Sequence, residues 1–156
     1  MKKMIFAAFA ALLTIGCSNP TKVENETITD TILQEMEYIP NRQDSLTAMF
    51  NAFCRQESEG NVIAVSPCGL YVGCLQMSKI MVREANRLIG DSIYDYEDRF
   101  DPDCSFGMFI AVMEGRNPSL DIDKAINLWN GKCPDVYRNN VKSYYEENLS
   151  LIKSMI

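Results

Sequence analysis

Histidine is missing from all 156 residues. Its absence removes the base of Ser-His-Asp and Cys-His nucleophilic sites, and with it any histidine-bearing metal centre. Acid–base chemistry must then fall mainly to carboxylates. The six cysteines form no C-x-x-C motif, so zinc and redox readings lack their signature. The residues call for no metal and no cofactor. Positive charge is also scarce: 15 Lys and Arg face 21 Asp and Glu, a net charge of −6. This argues against nucleic acid, whose phosphates need a basic surface.

The first residues read as a targeting segment. Lys2 and Lys3 precede an apolar run from Met4 to Ile15, broken only by Thr14. That run is too short for the roughly 20 residues of a membrane-spanning helix, and it fits the apolar core of a secretory signal peptide. It ends in Leu13-Thr14-Ile15-Gly16-Cys17, which resembles a bacterial lipobox. Residues 1–16 are therefore read as a signal peptide and Cys17 as the lipidated residue. That makes the chain an exported lipoprotein, attached to a membrane through its lipid. Plain secretion after a small-residue cleavage site is the alternative. Ser18 points to the outer membrane, facing the periplasm. Losing residues 1–16 removes two lysines, which leaves 13 basic against 21 acidic residues and a net charge of −8.

Residues 17–43 are polar and carry Pro20 and Pro40, which suits a tether. A short amphipathic helix fits about Thr29 to Tyr38. Five cysteines follow Cys17, namely Cys54, Cys68, Cys74, Cys104 and Cys133. Export permits disulfides, but an odd number leaves at least one free or paired elsewhere. The alternative for each is a small buried apolar residue.

The domain proper spans residues 44–156 and reads as compact and all-α. Asp44 or Ser45 can cap a first helix to about Ser58, with Leu46, Met49, Phe50, Phe53 and Cys54 on one face. A glycine- and proline-punctuated loop covers residues 59–74. A second helix runs from about Ser78 to Ile89 and stops at Gly90. Asp91 to Asp101 forms an acidic, aromatic loop. Further helices are predicted at about Asp103–Met113, Asp121–Asn130, and from Asp135 onward.

The first helix carries the candidate acid. Four residues beyond Phe53 on its buried stripe stands Glu57. A carboxyl on an apolar face is costly to ionise, so it holds its proton to higher pH. Such an acid can protonate a leaving oxygen. The alternative is a helix-end glutamate reaching from the core to water. Glu59, about 200° further around the helix, points to solvent.

The residues after it add an ordered string. Glu57-Ser58-Glu59-Gly60-Asn61 is followed by Ala64-Val65-Ser66-Pro67-Cys68-Gly69, then by Gly73-Cys74-Leu75-Gln76-Met77. This resembles the catalytic stretch of the soluble lytic transglycosylase (SLT) family, of the lysozyme superfamily. Asp101-Pro102, the segment Ala125-Ile126-Asn127-Leu128-Trp129-Asn130-Gly131 and the Tyr144-Tyr145 helix resemble later family pieces, so the likeness covers about residues 44–150. The sequence departs from the family in a turn one residue longer at 69–73, in Cys74-Leu75-Gln76 for Leu-Met-Gln, in Trp129 for a tyrosine, and in Ser105 for an asparagine.

The resemblance implies a lysozyme-like fold and peptidoglycan glycan strands as substrate. Glu57 would be the acid/base residue that cleaves the N-acetylmuramic acid–N-acetylglucosamine bond and leaves a 1,6-anhydro end. Ser66, Gln76, Trp129 and Asn130 would bind the sugars. Ser66 otherwise forms a turn, Gln76 a helix start, Trp129 core and Asn130 a helix end. A hydrolytic muramidase would need a second carboxylate, with Asp91, Asp95, Glu97, Asp98 and Asp101 as candidates if they are not simply a solvated loop. A non-catalytic glycan-binding or scaffolding lipoprotein is the reading from another class.

Overall fold

Asn41, itself extended, caps the first helix three residues earlier than Asp44 would. Its side chain accepts from the Asp44 backbone N–H at 2.9 Å, and the Asp44 carboxylate accepts from the Asn41 N–H at 3.2 Å. This reciprocal capping box makes Asp44 the third helical residue rather than the cap. The computed structural model describes residues 38–156. The signal peptide, Cys17, Ser18, the tether to residue 37 and nearly all of the helix expected near Thr29–Tyr38 lie outside the described residues.

Five α-helices make up most of that span: α1 (Arg42–Ser58), α2 (Lys79–Ile89), α3 (Pro102–Arg116), α4 (Ile122–Asn130) and α5 (Asp135–Lys153). The all-α expectation stands. No strand was expected, yet the loop before α2 folds into an antiparallel hairpin of β1 (Tyr71–Val72) and β2 (Met77–Ser78). Two-residue strands are too short to show alternation in sequence. The acidic loop likewise contains a 3-10 turn, Tyr96–Phe100.

Local chemistry explains most boundaries. Ser78 caps α2, and Gly90 ends it in a left-handed conformation. The Asp101 carboxylate accepts from the Asp103 and Cys104 N–H groups, both at 2.9 Å, while Pro102 takes the first position of α3. Asp121 caps α4 through the Lys124 N–H at 2.7 Å. Buried Asn117 organises the α3–α4 turn by donating to the Asp121 carbonyl and accepting from its N–H.

Helix α1 packs along α5, and α2 packs on α3. Between them lies one core containing Met49, Phe53, Leu75, Met108, Phe109, Ile126 and Val141. The rings of Phe53, Phe109 and Trp129 meet at centroid distances of 5.5–5.9 Å. Phe53 and Phe109 are fully buried, and each such burial stabilises the fold by about 1.5–3 kcal/mol. The cluster fixes the C-terminal half of α1 and the end of α4, the two segments that carry Glu57 and Asn130. Among the described residues no helix is long and apolar enough to cross a membrane.

Candidate active site

Glu57 lies in the last turn of α1, where the buried stripe leaves the core. The helix ends two residues later at Glu59, which adopts a left-handed conformation (φ 55°) and is exposed. Ser58 pins this end to the hairpin, because its hydroxyl donates to the Cys74 carbonyl at 2.8 Å. The half-buried Glu57 carboxyl therefore faces a cleft of about 350 Å³ lined by Glu57, Tyr71, Gln76, Trp129 and Asn130. Four of the six residues singled out from sequence thus converge on one concavity. Cys17 lies outside the described residues, and Ser66 does not line the cleft.

Two opposing influences set the acidity of Glu57. Burial pushes its pKa up, and a hydrogen bond donated by the Tyr137 hydroxyl to Oε1 pulls it down; burial prevails. Burial also raises the Tyr137 phenol, and the bond to Glu57 raises it further. The phenol therefore remains a donor at neutral pH. The result is a carboxyl that keeps its proton longer than an ordinary glutamate, with a fixed partner ready to stabilise its charged form.

The hairpin supplies the opposite wall. Gly73 has φ +76°, and a Cβ there would lie 1.8 Å from the Arg99 carbonyl oxygen. Only glycine fits this close approach. The Gly73 carbonyl accepts from the Gln76 backbone at 3.1 Å and from Gln76 Nε2 at 3.0 Å. Gln76 Nε2 also donates to the Ala64 carbonyl at 3.4 Å. With its nitrogen so engaged, Gln76 offers its amide oxygen to a ligand. Buried Arg99 braces β2 from behind by donating to the Met77 carbonyl at 3.0 Å.

Ser66 acts one step back. Its hydroxyl accepts from the Tyr71 N–H at 3.1 Å and lies 3.4 Å from Cys68 Sγ. The Ser66 N–H donates to the Tyr71 carbonyl at 2.9 Å. The serine thus closes the turn that presents Tyr71 to the cleft. Trp129 serves both readings made for it: its ring packs on Phe53 and Phe109, its Nε1 donates to the Leu75 carbonyl at 3.2 Å, and it lines the cleft. Asn130 is exposed at the end of α4 and lines the cleft as well.

Two residues of the site escaped the sequence reading: Tyr71, which lines the cleft, and Tyr137, which bonds Glu57. Tyr71 stands beside inward-facing Val72 in a two-residue strand, too short to leave a signal in the sequence. Tyr137 lies one turn before fully buried Val141 on α5, a visible face with no visible partner. The pair Tyr144-Tyr145 had marked the tyrosine helix, yet the Tyr144 ring lies under the Arg55 guanidinium at 4.0 Å. Glu59 and Tyr144 line a separate groove with Arg55, Gln56 and Asn140.

The acidic loop contributes no cleft wall. Asp98 accepts from the Asp95 N–H at 2.7 Å, Asp101 caps α3, and Asp91 lines a groove with Arg83 and Arg87. Its carboxylates mainly terminate and brace local structure. Glu57 is the only carboxylate among the residues lining the cleft. No family model matches the chain, and neither a curated protein nor a solved structure matches it.

Proposed function

We propose that the chain is a peptidoglycan lytic transglycosylase of lysozyme-like fold, with Glu57 as its acid/base residue. The observation that carries this reading is a half-buried carboxyl of raised pKa, held by Tyr137 in a cleft where, among the described residues, it is the one carboxyl in the lining. Protonated Glu57 gives its proton to the glycosidic oxygen between N-acetylmuramic acid and N-acetylglucosamine. The carboxylate left behind is stabilised by the Tyr137 hydroxyl. It then takes the proton from the muramic C6 hydroxyl, whose oxygen closes onto C1. Water takes no part, so one carboxyl suffices, whereas a hydrolase uses a pair.

Gln76 and Asn130 supply polar contacts to the sugars. Trp129 and Tyr71 supply apolar faces against which sugar rings pack. The chain would reach its substrate as an exported lipoprotein anchored at Cys17, on the periplasmic side of the outer membrane. Cys17→Ser should leave it unprocessed or soluble, and a variant still held in membranes through its mature N-terminus would overturn the anchor.

The decisive experiment digests purified peptidoglycan with wild type and Glu57→Gln and resolves the products by mass. Anhydromuropeptides should accumulate with wild type. The variant should be slower by about 10²–10⁴-fold, the usual contribution of a general acid–base group. Reducing ends instead of anhydro ends would favour a hydrolase. Equal yields from both proteins would remove Glu57 from the chemistry.

A further inference from the structure

Two cysteines meet in the core behind the cleft. Cys54 of α1 and Cys74 of the hairpin are only 7% and 3% exposed, and both belong to the same buried cluster. The Ser58 hydroxyl donates to the carbonyls of both, at 3.3 Å to Cys54 and 2.8 Å to Cys74. A single side chain thus holds the two backbones together. The other three cysteines have different company. Cys68 is exposed beside Ser66, Cys104 sits in the first turn of α3, and Cys133 lies 3.9 Å from Arg138.

We propose that Cys54 and Cys74 are a disulfide-forming pair, oxidised to a cystine that staples the last turn of α1 to the hairpin. The oxidant is a disulfide-bearing exchange partner, the class of reagent that an oxidising compartment supplies. The Cys74 thiolate attacks one sulfur of that partner and expels the other as a thiolate, which leaves a mixed disulfide. Cys54 loses its proton and attacks Cys74 Sγ, expelling the second partner sulfur. Two electrons pass to the partner disulfide, and two protons leave the cysteines.

The environment assigns these roles. The neighbouring Cys54 thiol lowers Cys74, whereas the neighbouring Cys74 and burial raise Cys54. Cys74 is therefore the sulfur that ionises first. Because both side chains are buried in the finished fold, exchange takes place in the last step of docking, when the two thiols already lie side by side and the partner can still reach Cys74. The bond joins the elements that carry Glu57 and Gln76, which stand three and two residues beyond the cysteines.

The test is a peptide map that needs no turnover, so it stands or falls separately from the proposed activity. The full-length chain is reduced, unfolded, and refolded in mixed reduced and oxidised glutathione. Free thiols are then alkylated, and the protein is cut with trypsin without reduction. Cleavage after Arg42, Arg55 and Lys79 places Cys54 in peptide 43–55, and Cys68 with Cys74 in peptide 56–79. The two peptides should appear joined and lighter by two hydrogen atoms, in wild type and in Cys68→Ser alike. The thermal midpoint should fall when reductant is added to wild type and stay constant in Cys74→Ala. Alkylated Cys54 throughout, Cys54 joined to another cysteine, or a cross-link lost in Cys68→Ser would overturn the pair. Should Cys74→Ala fail to fold, the maps of wild type and Cys68→Ser decide alone.

Discussion

The Tyr137 hydroxyl donates to Glu57 Oε1 across 80 positions of sequence, joining the first turn of α5 to the last turn of α1. This bond is the influence that lowers the Glu57 pKa against burial. Tyr137→Phe removes it and leaves the desolvation in place. The titration of Glu57 should then move further up, and the basic edge of the activity it governs should move with it. A pH–rate profile of the variant checks this, and a profile unchanged from wild type would show that the phenol does not tune the acid.

Glu57 also leaves a mark on stability. Its folded-state pKa is raised, so the folded chain binds this proton more tightly than the unfolded one. The resulting contribution is full below the ordinary glutamate value and is lost as pH rises through the folded value. The scale is about 1.4 kcal/mol per tenfold change in proton affinity. Glu57→Gln should therefore melt higher than wild type at neutral pH, and the difference should close on acidification. Denaturation at several pH values measures it; a variant less stable than wild type at neutral pH would contradict the sign.

Gly73→Ala should damage the cleft wall. The new Cβ would meet the Arg99 carbonyl oxygen at 1.8 Å, on a backbone at φ +76°. Strain and overpacking together should cost about 3 kcal/mol. Gly69→Ala is the control: φ is +70°, but nothing lies within 4 Å, so only the left-handed penalty of about 1–2 kcal/mol applies. Thermal melts of the two variants should differ in that order.

Glu84 clamps α2 to α3. Hydrogen bonds from Arg87 and then Arg116 hold its carboxyl down at about 2. A depressed folded value means the clamp is present above the ordinary glutamate value and is lost as pH falls toward 2. Glu84→Gln should lose about 1 kcal/mol at neutral pH, since both arginines are half exposed and screened. The loss should shrink in high salt and vanish in acid.

Much of this molecule was legible in one dimension. The i, i+3, i+4 stripe of Leu46, Met49, Phe50 and Phe53 predicted α1 and its buried face, and its continuation marked Glu57 as a carboxyl leaving the core. Gly90 marked the stop of α2, because capping is a contact between near neighbours in the chain. The missing histidine confined acid–base chemistry to carboxylates before any contact was known. The helical readings succeed because helical period and capping chemistry are local.

What only the tertiary structure decided were meetings of distant segments. Sequence could not choose Tyr137 over Tyr144, because the choice depends on how α5 is rotated against α1. Nor could it show that Ser66 supports Tyr71 instead of lining the cleft, since that follows from a turn closing on itself. It left five cysteines without partners, and the docking of the hairpin on Ser58 brought Cys54 and Cys74 together. Local patterning determined the helices and the exposed or buried sense of each face. Packing alone determined which faces meet, because an apolar stripe specifies burial and not the surface that covers it.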